Sequence, residues 1–117
     1  MARVKRGVTA RHRHKKVLEQ TAGHSGSRHR LFKTANESLL HALAYQYRDR
    51  RNRKRDFHRL WITRINAAAR ELGITYSRLM AGLAANGIEI NRKMLAELAV
   101  NNRAEFAAVV AAARPVA

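Results

Sequence analysis

The residues from Arg28 to Leu72 include neither Gly nor Pro, and most of them are good helix formers. This stretch predicts one long helix, which at a rise of about 1.5 Å per residue would extend roughly 65 Å. That length exceeds an ordinary globular helix, so a single small core cannot cover all of it. Gly73 follows directly and favours the left-handed cap at which many helices end.

The middle of this predicted helix has no apolar side. Residues 48–56 read Arg-Asp-Arg-Arg-Asn-Arg-Lys-Arg-Asp and fill about 2.5 turns, so polar side chains point in every direction. Arg50 and Lys54 place like charges four residues apart, which destabilises an isolated helix, and the pair Asp49 and Arg53 offsets only part of that cost. We therefore expect this segment to be marginal alone and stable where phosphate groups surround it.

The net charge of the whole chain also indicates an anionic partner. Of 117 residues, 24 are Lys or Arg and 8 are Asp or Glu, for a net charge of +16. Most of the excess lies before residue 60, and all six His are there too. A compact chain this unbalanced repels itself unless an anion lies beside it. The candidate partners are nucleic acid, an anionic membrane surface or an acidic protein.

The sequence shows no targeting or membrane segment. The first residues are basic and no apolar run follows them, unlike a signal peptide. No stretch approaches the ~20 apolar residues of a membrane span. The absence of Cys excludes disulfide scaffolds and thiolate metal sites. We expect a soluble cytoplasmic protein without a membrane partner.

Short helices are predicted on both sides of the long one. A helix from Arg11 to Ala22 precedes a break at residues 23–27, where two glycines have small polar neighbours. After Gly73, three helices are predicted from their caps and breakers, with Ile74 stapled onto Leu79 and Ile90 onto Leu95. They run from a Thr75 cap to about Ala85, from an Asn91 cap to about Asn101-Asn102, and from about Arg103 to Ala113 before Pro115.

The predicted fold is therefore all-α. Residues 1–59 form a basic extension, made of the short helix, the glycine break and the start of the long helix. Residues 60–117 form a small globular helical domain, which is of marginal size on its own. Its predicted core contains Leu60, Trp61, Ile65, Leu72, Leu79, Leu83, Leu95, Leu98, Phe106, Val109 and Val110.

The sequence gives no support for a catalytic site or a metal site. The run from Arg11 to Lys16 alternates His with cations, but a metal would need further ligands, and the local positive charge opposes a cation. Asp56 and His58 would point to different faces of a helix. Ser25 and Ser27 have no base to activate them. We predict no enzymatic activity, no metal and no cofactor.

Aromatic residues flank the arginine cluster. Tyr45 and Tyr47 precede it, and Phe57 and Trp61 follow it. Rings beside arginines suit stacking on unpaired bases while the guanidinium groups hold phosphates. The alternative is that Phe57 and Trp61 belong to the domain core. We favour the core for Trp61 and RNA contact for both tyrosines.

Several strings in this chain are similar to a known family. Residues 45–57 read YQYRDRRNRKRDF and residues 60–70 read LWITRINAAAR. Shorter pieces agree in order along nearly the whole chain: HKKVL at 14–18, GSR at 26–28, YSRL at 76–79, GL at 82–83 and NRK at 91–93. On these residues the chain resembles the L-twenty family of bacterial large-subunit ribosomal proteins.

The resemblance implies a non-enzymatic constituent of the large ribosomal subunit in the cytoplasm. Such proteins bind the large-subunit (23S) ribosomal RNA directly and early in subunit assembly, beside neighbouring large-subunit ribosomal proteins. Their basic extension threads between RNA helices, and their small helical domain sits on the surface. In some members that domain also represses translation of the family's own messenger RNA.

The cations and tyrosines of the basic half are our predicted ribosomal-RNA-binding residues. They are Arg3, Lys5, Arg6, Arg11, Arg13, His14, Lys15, Lys16, Arg28, Arg30, Lys33, Tyr45, Tyr47, Arg48, Arg50, Arg51, Arg53, Lys54, Arg55, Arg59 and Arg64.

Two alternatives remain open. A DNA-binding protein would use the 76–85 helix as a reader, but only Ser77 and Arg78 near its start could reach base edges. A membrane-surface helix would need an apolar face beside the basic one, which residues 48–56 lack.

Overall fold

A computed structural model describes Arg3 and Lys5–Arg114. This part of the chain is all-α, as predicted. Its elements are α1 (Val8–Gln20), a 3₁₀ turn (Gly26–His29), α2 (Phe32–Glu71), α3 (Tyr76–Ala85), α4 (Arg92–Asn101) and α5 (Arg103–Ala113). The predicted stop at Pro115 lies outside the described residues.

Residue contacts divide the chain into two compact units. The N-terminal unit ends at Arg51 and the C-terminal unit begins at Asn52, so α2 contributes to both. The functional boundary between residues 59 and 60 stays a prediction, because it separates an RNA-threading segment from a domain rather than two sets of contacts.

In the N-terminal unit, a ring contact joins α1 to the start of α2. Thr21 and Ala35 are fully buried there, and the His14 ring stacks on Phe32 with centroids 3.7 Å apart. The Thr21 hydroxyl donates to the carbonyl oxygen of Leu18 at 3.2 Å, so its burial leaves no polar atom unsatisfied. The predicted break is confirmed by Gly23, which has φ +86°, but the helix before it runs from Val8 to Gln20 rather than from the predicted Arg11 to Ala22.

The long helix begins at Phe32 rather than at the predicted Arg28. The backbone amides of Arg30 and Leu31 both donate to the carbonyl oxygen of Ser27, at 3.0 and 2.9 Å. The Thr34 hydroxyl donates to the same oxygen at 3.2 Å. The bond from Arg30 is of the 3₁₀ type and the bond from Leu31 closes one α-turn that does not continue, so the α-helix starts only after Leu31.

Glycines end α2 and α3 in the same way. Gly73 has φ +77°, its amide donates to Arg70, and the amide of Ile74 donates to Ala69, both at 3.0 Å. This is the Schellman arrangement, which pairs the last helical carbonyls and requires a left-handed residue. Gly87 repeats it at the end of α3, with φ +66°. The predicted cap at Gly73 and the predicted end of α3 at about Ala85 are therefore confirmed.

The predicted helix starts differ in their caps. The Asn91 side chain accepts a hydrogen bond from the amide of Met94 at 2.9 Å, as predicted. Asn102 both ends α4 and caps α5, since its side chain accepts from the amide of Glu105 at 3.3 Å. Thr75 occupies the cap position of α3, but its side chain makes no capping bond.

Most of the predicted core is confirmed in the C-terminal unit. Its fully buried members are Ile65, Leu79, Leu83, Leu95, Phe106 and Val110, and Trp61, Leu72, Leu98 and Val109 pack against them half-buried. The prediction was wrong for Leu60, which is 40% exposed. Ile65 lies five residues further on, about 140° away around the helix, so the two residues cannot share one face.

Four alanines that were not predicted complete this core. They are Ala69, Ala96, Ala99 and Ala113. Small side chains at these positions let the helix backbones approach closely, and this close approach fills the interior of a domain with few large apolar residues.

Candidate nucleic-acid interface

Every residue predicted to bind RNA is exposed, from Arg3 to Arg64. None of these side chains belongs to a core cluster. The surface they form carries most of the positive charge of the chain, so it attracts a polyanion without any rearrangement of the fold.

Residues 48–56 are continuous helix, and all of them are exposed except the half-buried Asn52. Asp49 pairs with its neighbour Arg48 at 2.9 Å. This hydrogen bond, together with the negative charge of Asp49, raises the pKa of Arg48. Apart from Asn52, the side chains of this charged segment are left uncovered by the part of the chain that the structure describes.

In α2, the guanidinium group of an arginine lies over the ring of each of two tyrosines. The guanidinium carbon of Arg48 lies 4.6 Å from the Tyr45 ring centre, and that of Arg51 lies 5.1 Å from the Tyr47 ring centre. Arg51 also donates to the Tyr47 hydroxyl at 2.9 Å. At about 100° per residue, the middle of the Tyr45–Arg48 pair lies about 110° around α2 from the middle of the Tyr47–Arg51 pair, so the two pairs face different directions without being opposite. Each pair presents an aromatic ring beside a guanidinium group, on which a base can stack.

The aromatic residues after the cluster have separate roles. Trp61 packs against the core, which confirms its predicted place. Phe57 is 47% exposed, and its ring centre lies 6.1 Å from that of Trp61 at an angle of 37°. Phe57 therefore extends the edge of the core outwards rather than filling it.

The first basic run lies on the exposed surface of α1. Arg11, Arg13, Lys15 and Lys16 are all exposed. The ring of His14 is instead stacked on Phe32, so one of its faces already has a partner within the chain. Its ring edge stays available for hydrogen bonding.

A groove of about 480 Å³ lies between the 3₁₀ turn and α2. Two of its lining residues, Arg28 and Tyr45, were predicted to bind RNA, whereas Glu37 and His41 were not. Glu37, His41 and Tyr45 are spaced four residues apart, which places them on one helix face and is the pattern that would have revealed them. The full lining is Ser27, Arg28, Thr34, Glu37, Ser38, His41 and Tyr45.

Within the described residues, no three His, Asp or Glu side chains come together as metal ligands. No helix in that part of the chain combines the length and the apolar character that crossing a bilayer requires.

The family model described as ribosomal protein L20 matches residues 3–109. The chain belongs to the ribosomal protein L20 family. It is 62% identical over 116 residues to the large ribosomal subunit protein bL20 of Roseiflexus castenholzii, and the aligned residues cover 99% of both chains. The protein of the same name from Anaplasma marginale is 63% identical over 112 residues, or 96% of this chain and 88% of the relative.

Membership of the L20 family makes this chain a structural, non-enzymatic component of the large subunit of the cytoplasmic ribosome. The match to the family model covers both units, because the matched residues run from Arg3, near the start of the N-terminal unit, to Val109 in α5.

Proposed function

We propose that this L20-family chain binds large-subunit (23S) ribosomal RNA directly through its basic surface, and that it promotes assembly of the subunit by doing so. The observation that carries the proposal is the exposed, all-polar helical segment 48–56. Six of its nine residues are Arg or Lys. A helix with this composition has no protein core to join, and phosphate groups supply the missing partner.

Counterion release provides the binding energy. RNA carries condensed cations along its backbone, and each Lys or Arg that neutralises a phosphate returns one to solution. If about ten phosphates were neutralised, the logarithm of the affinity would fall with the logarithm of the salt concentration with a slope of roughly −7 to −9. Screening phosphates where RNA helices crowd together stabilises their junction, and this is how such binding promotes assembly.

The side chains also favour RNA over other polyanions. Arginine presents a planar fork of donors that fits phosphate oxygens in pairs, which lysine cannot do. The Tyr45–Arg48 and Tyr47–Arg51 pairs add stacking surfaces for unpaired bases, and such bases are common in folded RNA.

Chemical footprinting of large-subunit RNA, with and without the full chain, tests this proposal. We expect a discrete set of protected nucleotides at RNA junctions, and we expect duplex DNA at equal nucleotide concentration to compete poorly. Equal competition by duplex DNA would support the DNA-binding alternative. Binding to anionic lipid vesicles at physiological salt would support the membrane alternative.

Repression of the chain's own messenger RNA is a second proposed role, compatible with the first. Its support is the family resemblance, which assigns the role to the C-terminal domain. A reporter gene fused to the messenger's leader tests it. Expression should fall when the protein is supplied in excess and should be unaffected when the leader is replaced.

A further inference from the structure

The groove between the 3₁₀ turn and α2 has the size and chemistry of a site for one nucleotide. Its volume of about 480 Å³ falls within the roughly 300–1,000 Å³ of small-molecule sites. All of its lining residues belong to the N-terminal unit. A duplex does not fit such a groove, whereas a single base extruded from a strand does.

Hydrogen bonds hold the walls of the groove in place. The Thr34 hydroxyl donates to the carbonyl oxygen of Ser27 at 3.2 Å, which ties α2 to the turn. His24 Nδ1 and Ser38 Oγ are 2.7 Å apart and form a second tie from the preceding loop. The groove is therefore preorganised, and binding a base costs little ordering of the protein.

One wall is aromatic, with a cation just outside it. The ring centres of His41 and Tyr45 lie 5.9 Å apart at an angle of 32°, one helical turn from each other. Arg48 covers the Tyr45 ring without lining the groove. A base stacks against these rings, while Arg28 on the opposite wall and Arg48 hold the phosphates on either side of it.

Glu37 is the one acidic residue that lines the groove. The N-terminal unit has thirteen Lys and Arg but only three acidic residues. Asp49 is paired with Arg48, and Glu19 does not line the groove. Glu37 forms no ion pair with any residue that the structure describes, although it faces a groove that also contains Arg28. A carboxylate in an RNA-binding surface repels phosphate, so its useful partner is a base edge that donates hydrogen bonds.

Guanine is the base whose Watson–Crick edge offers two adjacent donors, N1–H and N2–H, which match the two oxygens of a carboxylate. Adenine places its N1 acceptor against the carboxylate and is repelled, which adds discrimination against the wrong base. We propose that this groove binds one unpaired guanine of a ribosomal RNA strand, with its Watson–Crick edge on Glu37. The inference rests on the proposed RNA binding and deepens it.

Base preference in short oligonucleotides tests the site. The probes are nine-nucleotide oligouridylates with guanine, inosine or adenine at the centre, titrated with the full chain by fluorescence anisotropy. Guanine should bind at least about fivefold more tightly than adenine. Inosine, which lacks the N2 amino group, should fall between them.

Two charge-matched variants complete the test. Glu37→Gln should reduce the guanine-to-adenine ratio to within about twofold, because the amide offers one acceptor instead of two. Glu19→Gln, on the exposed surface of α1, should keep the ratio although it removes the same charge. Equal affinity for all three probes in the unmodified chain, or an unchanged ratio in Glu37→Gln, would overturn the guanine site.

A separate titration with large-subunit ribosomal RNA distinguishes failure of the guanine site from failure of the proposed ribosomal-RNA binding on which it rests. Salt-dependent binding of that RNA together with equal affinity for the three probes overturns the guanine site alone. Failure to bind the ribosomal RNA at all overturns both proposals.

Discussion

Gly82 in α3 lies so close to Ala113 in α5 that a Cβ atom at Gly82 would overlap the Ala113 carbonyl oxygen. Asn86, which follows α3, joins the same two helices, because its side-chain amide donates to the carbonyl oxygens of Gly82 at 2.9 Å and Ala112 at 3.0 Å. The contact between α3 and α5 is therefore one between backbones. It closes the C-terminal unit where side chains alone would leave the helices further apart.

Replacing Gly82 with Ala should destabilise the C-terminal unit by about 1–3 kcal/mol, because the overlapping atom is backbone and cannot rotate away. Alanine is otherwise the better helix former, so a stabilised variant would contradict this account. Urea unfolding followed by the fluorescence of Trp61, the only tryptophan and one that packs against the core, measures the change. Ala81→Ser, at an exposed position of the same helix, is the control and should change stability by less than about 0.5 kcal/mol.

Two cap positions offer a matched pair of substitutions. Asn91→Ala removes a side-chain acceptor that the amide of Met94 uses, and it should cost about 1 kcal/mol. Thr75→Ala removes a side chain that makes no capping bond, so it should cost less than Asn91→Ala. The same urea titration compares both variants with the unmodified chain. A Thr75→Ala cost equal to or above that of Asn91→Ala would show that these capping geometries do not hold in solution.

Amide hydrogen exchange should separate the arginine-rich segment from the core. The like charges of residues 48–56 oppose helix formation in the free chain, so exchange there should be fast. At an RNA concentration of about 100 times Kd, binding should slow it by up to about 100-fold. Amides of the buried core residues Leu79, Leu95 and Phe106 should be protected both with and without RNA. Equal exchange in the segment with and without RNA would contradict the role given to phosphate.

The sequence predicts these helix ends because each one depends on a single local residue. Gly73 and Gly87 supply the positive φ angles that end α2 and α3, and Asn91 supplies the acceptor that begins α4. The start of α2 was not readable in this way. It depends on Thr34 and two amides converging on the carbonyl oxygen of Ser27, and residues 28–31 are ordinary helix formers.

The core and the candidate site also combine features that the sequence predicts with features that it does not predict. Large apolar residues at helical spacing predict most of the core, but Leu60 lies outside it because its angular position on α2 turns it away from Ile65. Ala113 was not predicted because alanine occurs on exposed helix faces as readily as on buried ones. The exposed cations followed from charge alone. The groove containing Glu37 did not, since it exists only where the 3₁₀ turn folds against α2.

The salt dependence of binding to large-subunit ribosomal RNA tests the central claim most directly. In the variant with Arg50→Ala and Arg53→Ala, affinity should fall and the log–log slope should become shallower by roughly 0.7–0.9 for each phosphate that the protein no longer neutralises. Arg103→Ala, which removes an exposed arginine paired with Glu71, should leave the slope nearly unchanged. An affinity and a slope that stay the same after all six cations of residues 48–55 are replaced by alanine would contradict the account.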